Sequence, residues 1–257
     1  MSAAARNFDV VVGADGLHSR VRELVFGPQN GFEQYLGYKA AAFESPGYRP
    51  RDELVYVMYT QVGQQVGRFA LRGDRTMFLF TFADTDPGGV ALGDATAQRA
   101  LLHRRFAAGG WESSQILAAL DSCSDLYFDR VSQIRMYPRD GLWTRGRVTL
   151  IGDAAFCVSL LAGQGAALAM VAAYILAGEL HRAQGDHNAA FARYQERFSP
   201  FVLQKQTAAL RFAGFFAPKS RLALGVRNRV VSLCSIPWVA DLAFGSDMTD
   251  RLELPAY

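Results

Sequence analysis

Short apolar runs separated by turn residues dominate the first third of the chain, and this pattern predicts β-strands. The runs lie at residues 9–13, 54–60, 66–72 and 76–82. Turns around Gly63 and Gly73 separate the last three runs, which favours antiparallel hairpins. Alternation along the last run places three phenylalanines on one face of the predicted sheet: Phe78, Phe80 and Phe82.

The apolar spacing changes to a helical period further along the chain. Helices are predicted at residues 95–108, 113–120, 165–182 and 188–198, and strands at 126–136 and 148–151. The third of these helices is rich in alanine on all sides, which predicts an interior position against a sheet. Pro200 is expected to end the last helix, because proline removes a backbone donor.

The region after residue 200 combines apolar stretches, broken by Pro218 and Pro237, with scattered cations. The basic residues are Lys205, Arg211, Lys219, Arg221, Arg227 and Arg229. Such a tail could cap a substrate cavity, form a homodimer or rest on a membrane surface. We favour the cap.

Composition places the chain among globular proteins with a hydrophobic core. Half of the 257 residues are hydrophobic and the formal net charge is +3. The basic residues form no clustered stripe, so no nucleic-acid partner is expected. Three cysteines without paired spacing, Cys123, Cys157 and Cys234, favour reduced thiols in the cytoplasm. The four histidines are dispersed, so no metal site is predicted, and no apolar run has the length of a transmembrane segment.

The segment GRVTLIGDAAFCVSLLAGQG, residues 146–165, joins a buried strand to a helix start and carries one carboxylate. Asp153 follows the strand after Gly152, which lets the backbone turn. The turn at 163–165 then opens the alanine-rich helix, whose first N–H groups carry partial positive charge. We therefore expect an acid and a helix start to face one cleft, an arrangement suited to a bound cofactor.

A second segment, DVVVGADGLHSRVR at residues 9–22, repeats this arrangement. A short strand runs into Asp15 and Gly16, and a helix start is predicted at Ser19. Together the two segments resemble the DG and GD motifs of the class A flavoprotein monooxygenases, the FAD-dependent aromatic hydroxylases. They occur in the family's order, separated by roughly the length of a substrate domain.

The resemblance implies an α/β fold: the C-terminal part of a Rossmann-like FAD-binding domain with an inserted antiparallel β-sheet substrate domain and C-terminal helices. The implied boundaries are 1–35 for the partial FAD-binding domain with the DG motif, 36–135 for the substrate domain, 136–188 for the GD part of the FAD-binding domain and 189–257 for a C-terminal helical cap.

The family's GxGxxG turn should precede residue 9, and the sequence contains no such turn near its start. The resemblance therefore covers only the C-terminal part of a complete enzyme, and this chain alone is expected to bind FAD poorly. A truncated gene, an expressed fragment and a separately encoded N-terminal half could each account for this. We favour truncation.

The resemblance also assigns roles to residues of both motifs. Asp153 would accept hydrogen bonds from the ribityl hydroxyls of FAD, since an ionised carboxylate is purely an acceptor. The amides of the helix start would stabilise negative charge on the flavin ring. Asp15, Gly16 and Arg22 would lie near the pyrophosphate and the path of NAD(P)H. The implied cofactor-binding residues are Asp15, Gly16, Arg22, Gly152, Asp153, Ala154, Gly163, Gln164, Gly165 and Ala166.

Simpler roles are open for the same residues. Asp15 and Asp153 could cap helices, and Gly163 and Gly165 could serve the turn alone. Arg22 could be a surface arginine of its helix.

The GD segment departs from the family at three positions: Phe156 replaces a common His, Leu160 a Pro and Ala172 an acid. No catalytic side chain is assigned, because the chemistry belongs largely to the flavin. Substrate-facing positions implied by the resemblance are Tyr56, Met58, Phe80, Phe82, Phe156 and Leu160, with core packing as the alternative.

The resulting hypothesis is a monooxygenase that uses FAD and NAD(P)H to hydroxylate an apolar or aromatic small molecule. Two alternatives are left open. The chain could be a catalytically silent fragment that keeps the fold without binding FAD, or an FAD-dependent polyprenyl reductase. A homodimer and a separately encoded N-terminal half are the macromolecular partners considered.

Overall fold

The computed structural model describes residues 6–136, 143–233 and 252–257, without the side chains of residues 211–215. The chain divides into two units. Unit 1 comprises Met1–Gln34, Ser132–Arg211 and Thr249–Tyr257, and unit 2 comprises Tyr35–Val131 and Phe212–Met248. Residues 189–211, assigned from sequence to a helical cap, lie in unit 1. Cys234 and Pro237 lie outside the described residues.

Unit 1 contains a three-stranded sheet of β1 (Val11–Gly13), β7 (Thr144–Arg145) and β8 (Val148–Leu150), in the order β1-β8-β7. The strands β1 and β8 are parallel, with Gly13 opposite Leu150. Their carboxyl ends, where the two motifs begin, therefore lie side by side. Because β1 is at the edge of this sheet, Val12 is 41% exposed.

Four helices belong wholly or largely to unit 1: α1 (Arg20–Phe26), α4 (Asp153–Phe156), α5 (Gly165–Arg182) and α6 (His187–Phe216). The helix predicted from Gly165 to about Arg182 is confirmed. The prediction that Pro200 ends a helix is wrong, because α6 runs through it for 30 residues. Phe198 and Val202 are buried on either side of the proline, and this packing offsets the lost backbone hydrogen bond.

The core of unit 1 is built on an aromatic cluster beside the GD segment. Trp143 and Phe156 have ring centroids 4.8 Å apart, and Phe156 and Phe198 are 5.4 Å apart. Tyr194 completes the cluster and donates its hydroxyl to the Leu150 carbonyl oxygen at 3.2 Å. These contacts fix the strand that ends immediately before the motif.

The alanine-rich helix α5 is interior on one face only. Leu168, Ala172 and Ile175 are buried in the core of unit 1. Met170 is 68% exposed and Tyr174 is 45% exposed on the other side. The predicted interior position of this helix therefore holds for one face only.

Unit 2 contains a five-stranded sheet of β2 (Glu33–Pro46), β3 (Val57–Gln61), β4 (Gln64–Leu71), β5 (Arg75–Ala83) and β6 (Tyr127–Ile134), in the order β3-β4-β5-β2-β6. Both predicted hairpins are confirmed as antiparallel pairs. The longest strand, β2, was not predicted, because Gly37 and three successive alanines at 40–42 give it a poor strand propensity.

Helices α2 (Ala95–Phe106) and α3 (Ser113–Ser122) cover the phenylalanine face of this sheet. Phe80 and Phe106 have ring centroids 4.8 Å apart, which shows how closely α2 packs on β5. A further helix, α7 (Arg221–Leu233), has no buried residue. Among the described residues, no helix combines the length and apolar character that crossing a membrane requires.

Candidate functional site

The DG and GD segments leave adjacent strands and meet in unit 1. The backbone N–H of Ile151 donates to the Gly13 carbonyl oxygen at 2.9 Å, which carries the parallel pairing to the end of both strands. The helix start predicted at Ser19 is confirmed, since Ser19 is the N-cap of α1 and accepts from the Arg22 N–H.

Asp15 serves as a second cap of α1. Its carboxylate accepts from Ser19 Oγ at 2.6 Å and from the backbone N–H groups of Arg20 at 2.7 Å and Val21 at 3.0 Å. Slight burial raises the pKa of Asp15, but these hydrogen bonds outweigh it and hold the pKa below its usual value. The structure therefore shows the capping role, and a contact between Asp15 and FAD stays a prediction. Gly16 follows with φ of +80°.

Gly152 is required by its backbone and by its neighbour. Its φ is +61°, a conformation that side chains disfavour, and a Cβ there would lie 3.1 Å from the Ala169 Cβ of α5. This turn brings Asp153 to the first position of α4, a single helical turn. The sequence had been interpreted as a simple connection here, so α4 and the 3-10 turn Leu160–Ala162 are additions to the prediction.

The Asp153 carboxylate lies against the start of α5. A Cβ built on Gly165 would stand 3.4 Å from Asp153 Oδ1, so only the missing side chain leaves space between the acid and the helix. Gly163, in the left-handed conformation, and Gln164 lead into this helix, and none of the described side chains caps it. Its first N–H groups therefore offer unfilled donors beside the acid, with Ala166 exposed next to them.

Burial makes ionisation of the Asp153 carboxyl unfavourable, and no positively charged side chain among the described residues pairs with it. Burial raises the pKa of Asp153, and the Cys157 thiol lowers it by a smaller amount through a hydrogen bond. The described residues place no Lys, Arg or His in an ion pair with this carboxylate. An acceptor held half-buried with spare lone pairs is suited to hydroxyl donors from a ligand.

Arg22 is not a surface arginine, and that alternative is wrong. It is 0% exposed, and its guanidinium donates to the carbonyl oxygens of Ala154 at 2.9 Å and Leu17 at 2.7 Å. It thus joins the DG helix α1 to the backbone of the GD helix α4. It forms no ion pair with Asp15 among the described residues.

The predicted substrate-facing residues of unit 2 divide between two faces of its sheet. Strand pairing places Met58 opposite Gly67, whereas Phe80 is opposite Val66, one residue along. Phe80 and Phe82 therefore point toward α2 and are 1% and 0% exposed, which corrects their assignment to a substrate surface. Met58 lies on the other face, 40% exposed, together with Tyr56, whose ring covers Gly67.

The two substrate-facing candidates of the GD segment also separate. Phe156 is 2% exposed in the aromatic cluster of unit 1, so it packs in the core and does not face a ligand. Leu160 is 46% exposed on the loop that follows Asp153, where a substrate contact stays a prediction.

Sequence reasoning missed the polar residues that fix the GD loop from beneath. Gln206 of α6 donates to the carbonyl oxygens of Cys157 at 3.4 Å and Ile134 at 2.7 Å, and Gln133 donates to the Gln206 carbonyl oxygen at 2.8 Å. Both side chains are buried. No spacing in the sequence connects these distant residues, so only the fold could reveal them.

The site fits a ligand that combines a polyhydroxyl chain with an electron-rich ring edge. The chain would donate to Asp153, and the ring would meet the free N–H groups of α5. The ribityl chain and isoalloxazine ring of a flavin have this combination. The fold and the site together are similar to the FAD-binding part of class A flavoprotein monooxygenases.

The chain belongs to the family described as "FAD binding domain", which matches residues 8–205. An uncharacterized protein of Mycobacterium tuberculosis (strain ATCC 25618 / H37Rv) is 44% identical over 207 residues, covering 79% of this chain and 54% of that protein. A flavin-dependent monooxygenase of an unknown prokaryotic organism is 34% identical over 256 residues, covering 98% and 62%.

Among solved structures, tetracycline destructase Tet(55) is similar with a TM-score of 0.78 and 32% identity, covering 98% of this chain and 63% of that one. The chain thus spans 54% to 63% of the length of these three proteins.

Proposed function

We propose that this chain supplies the flavin-holding and substrate-facing parts of an FAD-dependent monooxygenase that uses NAD(P)H as reductant. In such a reaction, one atom of O₂ enters the substrate as a hydroxyl group. The other atom leaves as water, and NAD(P)H provides two electrons. FAD, when bound, supplies the oxygen chemistry, and the protein positions it and controls access.

The observation that carries this proposal is the relation between Asp153 and α5. Within the part of the chain that the structure describes, a half-buried carboxylate without a cationic partner stands beside uncapped helix amides, and glycine at 165 keeps the gap open. Asp153 would hold the ribityl chain. The amides of Gly165 and Ala166 would favour the reduced, negatively charged ring by their partial positive charge.

The substrate class we propose is an apolar or aromatic small molecule. The support comes from the sheet face of unit 2 that carries Tyr56 and Met58, where large apolar side chains are partly exposed. The name of Tet(55) points to tetracycline, a fused-ring molecule, as the substrate of that relative. A compound with at least one aromatic ring is therefore the first class to test.

A complementary nucleotide-binding unit is part of this proposal. The outer edge of β1 presents backbone groups that pair with no other described strand, and its valines are exposed. Parallel sheets are normally covered on both faces and extended by βαβ units. A strand added to β1, in the same polypeptide or from a partner, would complete the sheet and hold the adenosine half of FAD.

The test is a titration of the purified chain with FAD, followed by flavin fluorescence and by the visible absorbance of the bound flavin. Because the adenosine half of FAD lacks its complementary unit, we expect weak but saturable binding, which Asp153→Asn weakens further and the exposed control Asp121→Asn leaves unchanged. NAD(P)H oxidation stimulated by an aromatic compound, with a product one oxygen atom heavier, would support the monooxygenase assignment. A chain that stays colourless and gains no thermal stability from FAD would instead identify a silent fragment.

A further inference from the structure

A path of buried and partly buried polar contacts leads from the helix that carries Asp153 back to the side chain of Asp153. The path starts at the backbone of α4, where Arg22 Nη1 donates to the Ala154 carbonyl oxygen at 2.9 Å. Arg22 Nη2 then donates to Gln29 Oε1 at 3.2 Å. Gln29 Nε2 donates in turn to Glu33 Oε2 at 2.9 Å. The path thus leads from the acid-bearing helix to a carboxylate outside both motifs.

The second half of the path leads back to the side chain of Asp153. Ser132 Oγ donates to Glu33 Oε1 at 2.7 Å. The Cys157 thiol has a single proton, which it can donate to the Ser132 carbonyl oxygen at 3.6 Å or to the Asp153 carboxylate. Asp153 is therefore held at two points, through the backbone of the next residue and through its own carboxylate.

The charges in this path explain why it requires an arginine. Helix α4 has only four residues, so it ends before it can provide an N–H donor to the Ala154 carbonyl oxygen. This oxygen therefore needs a donor from elsewhere in the fold. Arg22 supplies that donor in a planar fork that also reaches Gln29. Glu33 offsets the buried positive charge across the amide of Gln29, since burying an isolated cation is costly.

We propose that Arg22, Gln29 and Glu33 are positioning residues that hold α4 so that the Asp153 carboxylate faces the ribityl hydroxyls of the flavin. This inference rests on the proposed function, because it assigns the orientation of the acid that would bind the cofactor. It also replaces the role in phosphate binding that the family resemblance implied for Arg22. A residue that is 0% exposed and engaged with two carbonyl oxygens has no free face for a phosphate.

The test compares two flavins that differ at the ribityl chain. Riboflavin carries this chain, whereas lumiflavin has a methyl group in its place, so the ratio of their dissociation constants reports the contact with Asp153. The ratio is measured by fluorescence quenching on the full chain. The variants are Glu33→Gln, which keeps the shape and removes the charge, and Arg22→Lys, which keeps the charge and loses the fork.

The controls lie on the same helix as Arg22. Glu23 and Arg20 form an exposed ion pair on α1, so Glu23→Gln and Arg20→Lys repeat the two chemical changes outside the path. We expect the riboflavin preference to fall roughly 3- to 10-fold in both path variants, the size of one lost hydrogen bond. The controls should retain the preference of the parent chain.

A structural role alone would lower the affinities for both flavins by the same factor, and that result would overturn the proposal. If Arg22→Lys fails to fold, as judged by circular dichroism, Glu33→Gln decides the question alone. Asp153→Asn distinguishes a failure of the proposed FAD-binding function from a failure of the positioning role. If it leaves the riboflavin preference intact, the proposed function itself fails. If it abolishes the preference while Glu33→Gln does not change it, only the positioning role is wrong.

Discussion

The carboxylate of Asp153 and the backbone of Gly165 face each other across a gap that a single methyl group would fill. The Cβ position of Gly165 stands 3.4 Å from Asp153 Oδ1, an ordinary van der Waals distance. The acid begins the four-residue helix α4 and the glycine begins the 18-residue helix α5. A flavin chain that hydrogen-bonds to the acid must therefore pass the glycine. Substitutions at these two residues should lower the affinity for FAD without lowering the free energy of unfolding.

Asp153→Asn should weaken flavin binding and stabilise the flavin-free protein. The amide keeps the shape but loses the charge that strengthens hydrogen bonds from hydroxyl groups, so we expect FAD affinity to fall about 10- to 100-fold. The free energy of unfolding without FAD should rise, because burial penalises the ionised acid. Isothermal titration and urea unfolding measure the two effects. A variant that loses both affinity and stability would contradict this account.

The same residue predicts a pH dependence with a definite sign. Burial raises the folded-state pKa of Asp153 above its ordinary value of 3.8, so the folded protein binds the proton more tightly than the unfolded chain. Its contribution to stability is therefore largest in acid and declines as pH rises from 3.8 through the folded pKa. The stability gained by Asp153→Asn should grow over this window and then become constant. Urea unfolding of both proteins at a series of pH values checks this.

Gly165→Ala should retain the fold and lose the cofactor. The added methyl group meets Asp153 at 3.4 Å without a clash, and alanine favours a helix more than glycine does. The unfolding free energy should therefore stay unchanged or rise by up to about 1 kcal/mol. FAD affinity should fall, because the methyl group occupies the gap beside the acid. Ala166→Gly, at the next and exposed position, is the control, and equal affinity losses in both variants would argue against the gap.

The sequence sufficed to predict the elements whose apolar period is regular. The β5 strand and the α5 helix were both predicted near their observed ends, since alternating phenylalanines and a long apolar helix leave few alternatives. The β2 strand was missed because its alanines carry no strand signal. Pro200 was taken to stop a helix that in fact continues, since the packing on both sides of it is a tertiary effect.

The candidate site was predictable where local motifs define it and not where distant residues support it. Asp153 and Gly165 are close in sequence, and the turn between them indicated that they would meet. The burial of Arg22 against Ala154 was not predictable, because Ala154 lies far along the chain and the parallel pairing of β1 with β8 brings the two residues together. Phe80 and Met58 required the strand register, which turn spacing alone had not fixed.

Asp15→Ala should destabilise unit 1 through the loss of a helix cap. Three donors, one hydroxyl and two backbone N–H groups, lose their acceptor, so we expect a cost of about 1–3 kcal/mol. Asp94→Ala is the matched control, because Asp94 caps α2 through a single N–H group and should cost less. Urea unfolding gives both values. An affinity loss for FAD confined to Asp15→Ala, measured on folded protein, would instead support a cofactor contact.

The hydrogen bonds to Asp15 also predict the opposite pH behaviour to that of Asp153. They hold its folded-state pKa below 3.8, so the stability they provide is present above that pH and is lost as pH falls through the folded pKa. The difference in unfolding free energy between Asp15→Ala and the parent chain should therefore become smaller in strong acid. A difference that stays constant down to the acid unfolding of both proteins would rule out the ionised cap.

The effect of Gly178→Ala on the free energy of unfolding should change sign when Tyr257 is removed. A Cβ at Gly178 would overlap the ring of Tyr257. The Tyr257 hydroxyl donates to the buried Glu179 at 3.0 Å, and the ring lies 4.5 Å from the Arg182 guanidinium. In the parent chain the methyl group must displace this ring, and the lost contacts should destabilise the protein by about 1–3 kcal/mol.

In a Tyr257→Ala background the ring is absent, and the intrinsic helix preference of alanine over glycine should stabilise α5 by about 1 kcal/mol. A double-mutant cycle of unfolding free energies measures the reversal. Equal effects of Gly178→Ala in both backgrounds would mean that Tyr257 does not occupy this helix face in solution.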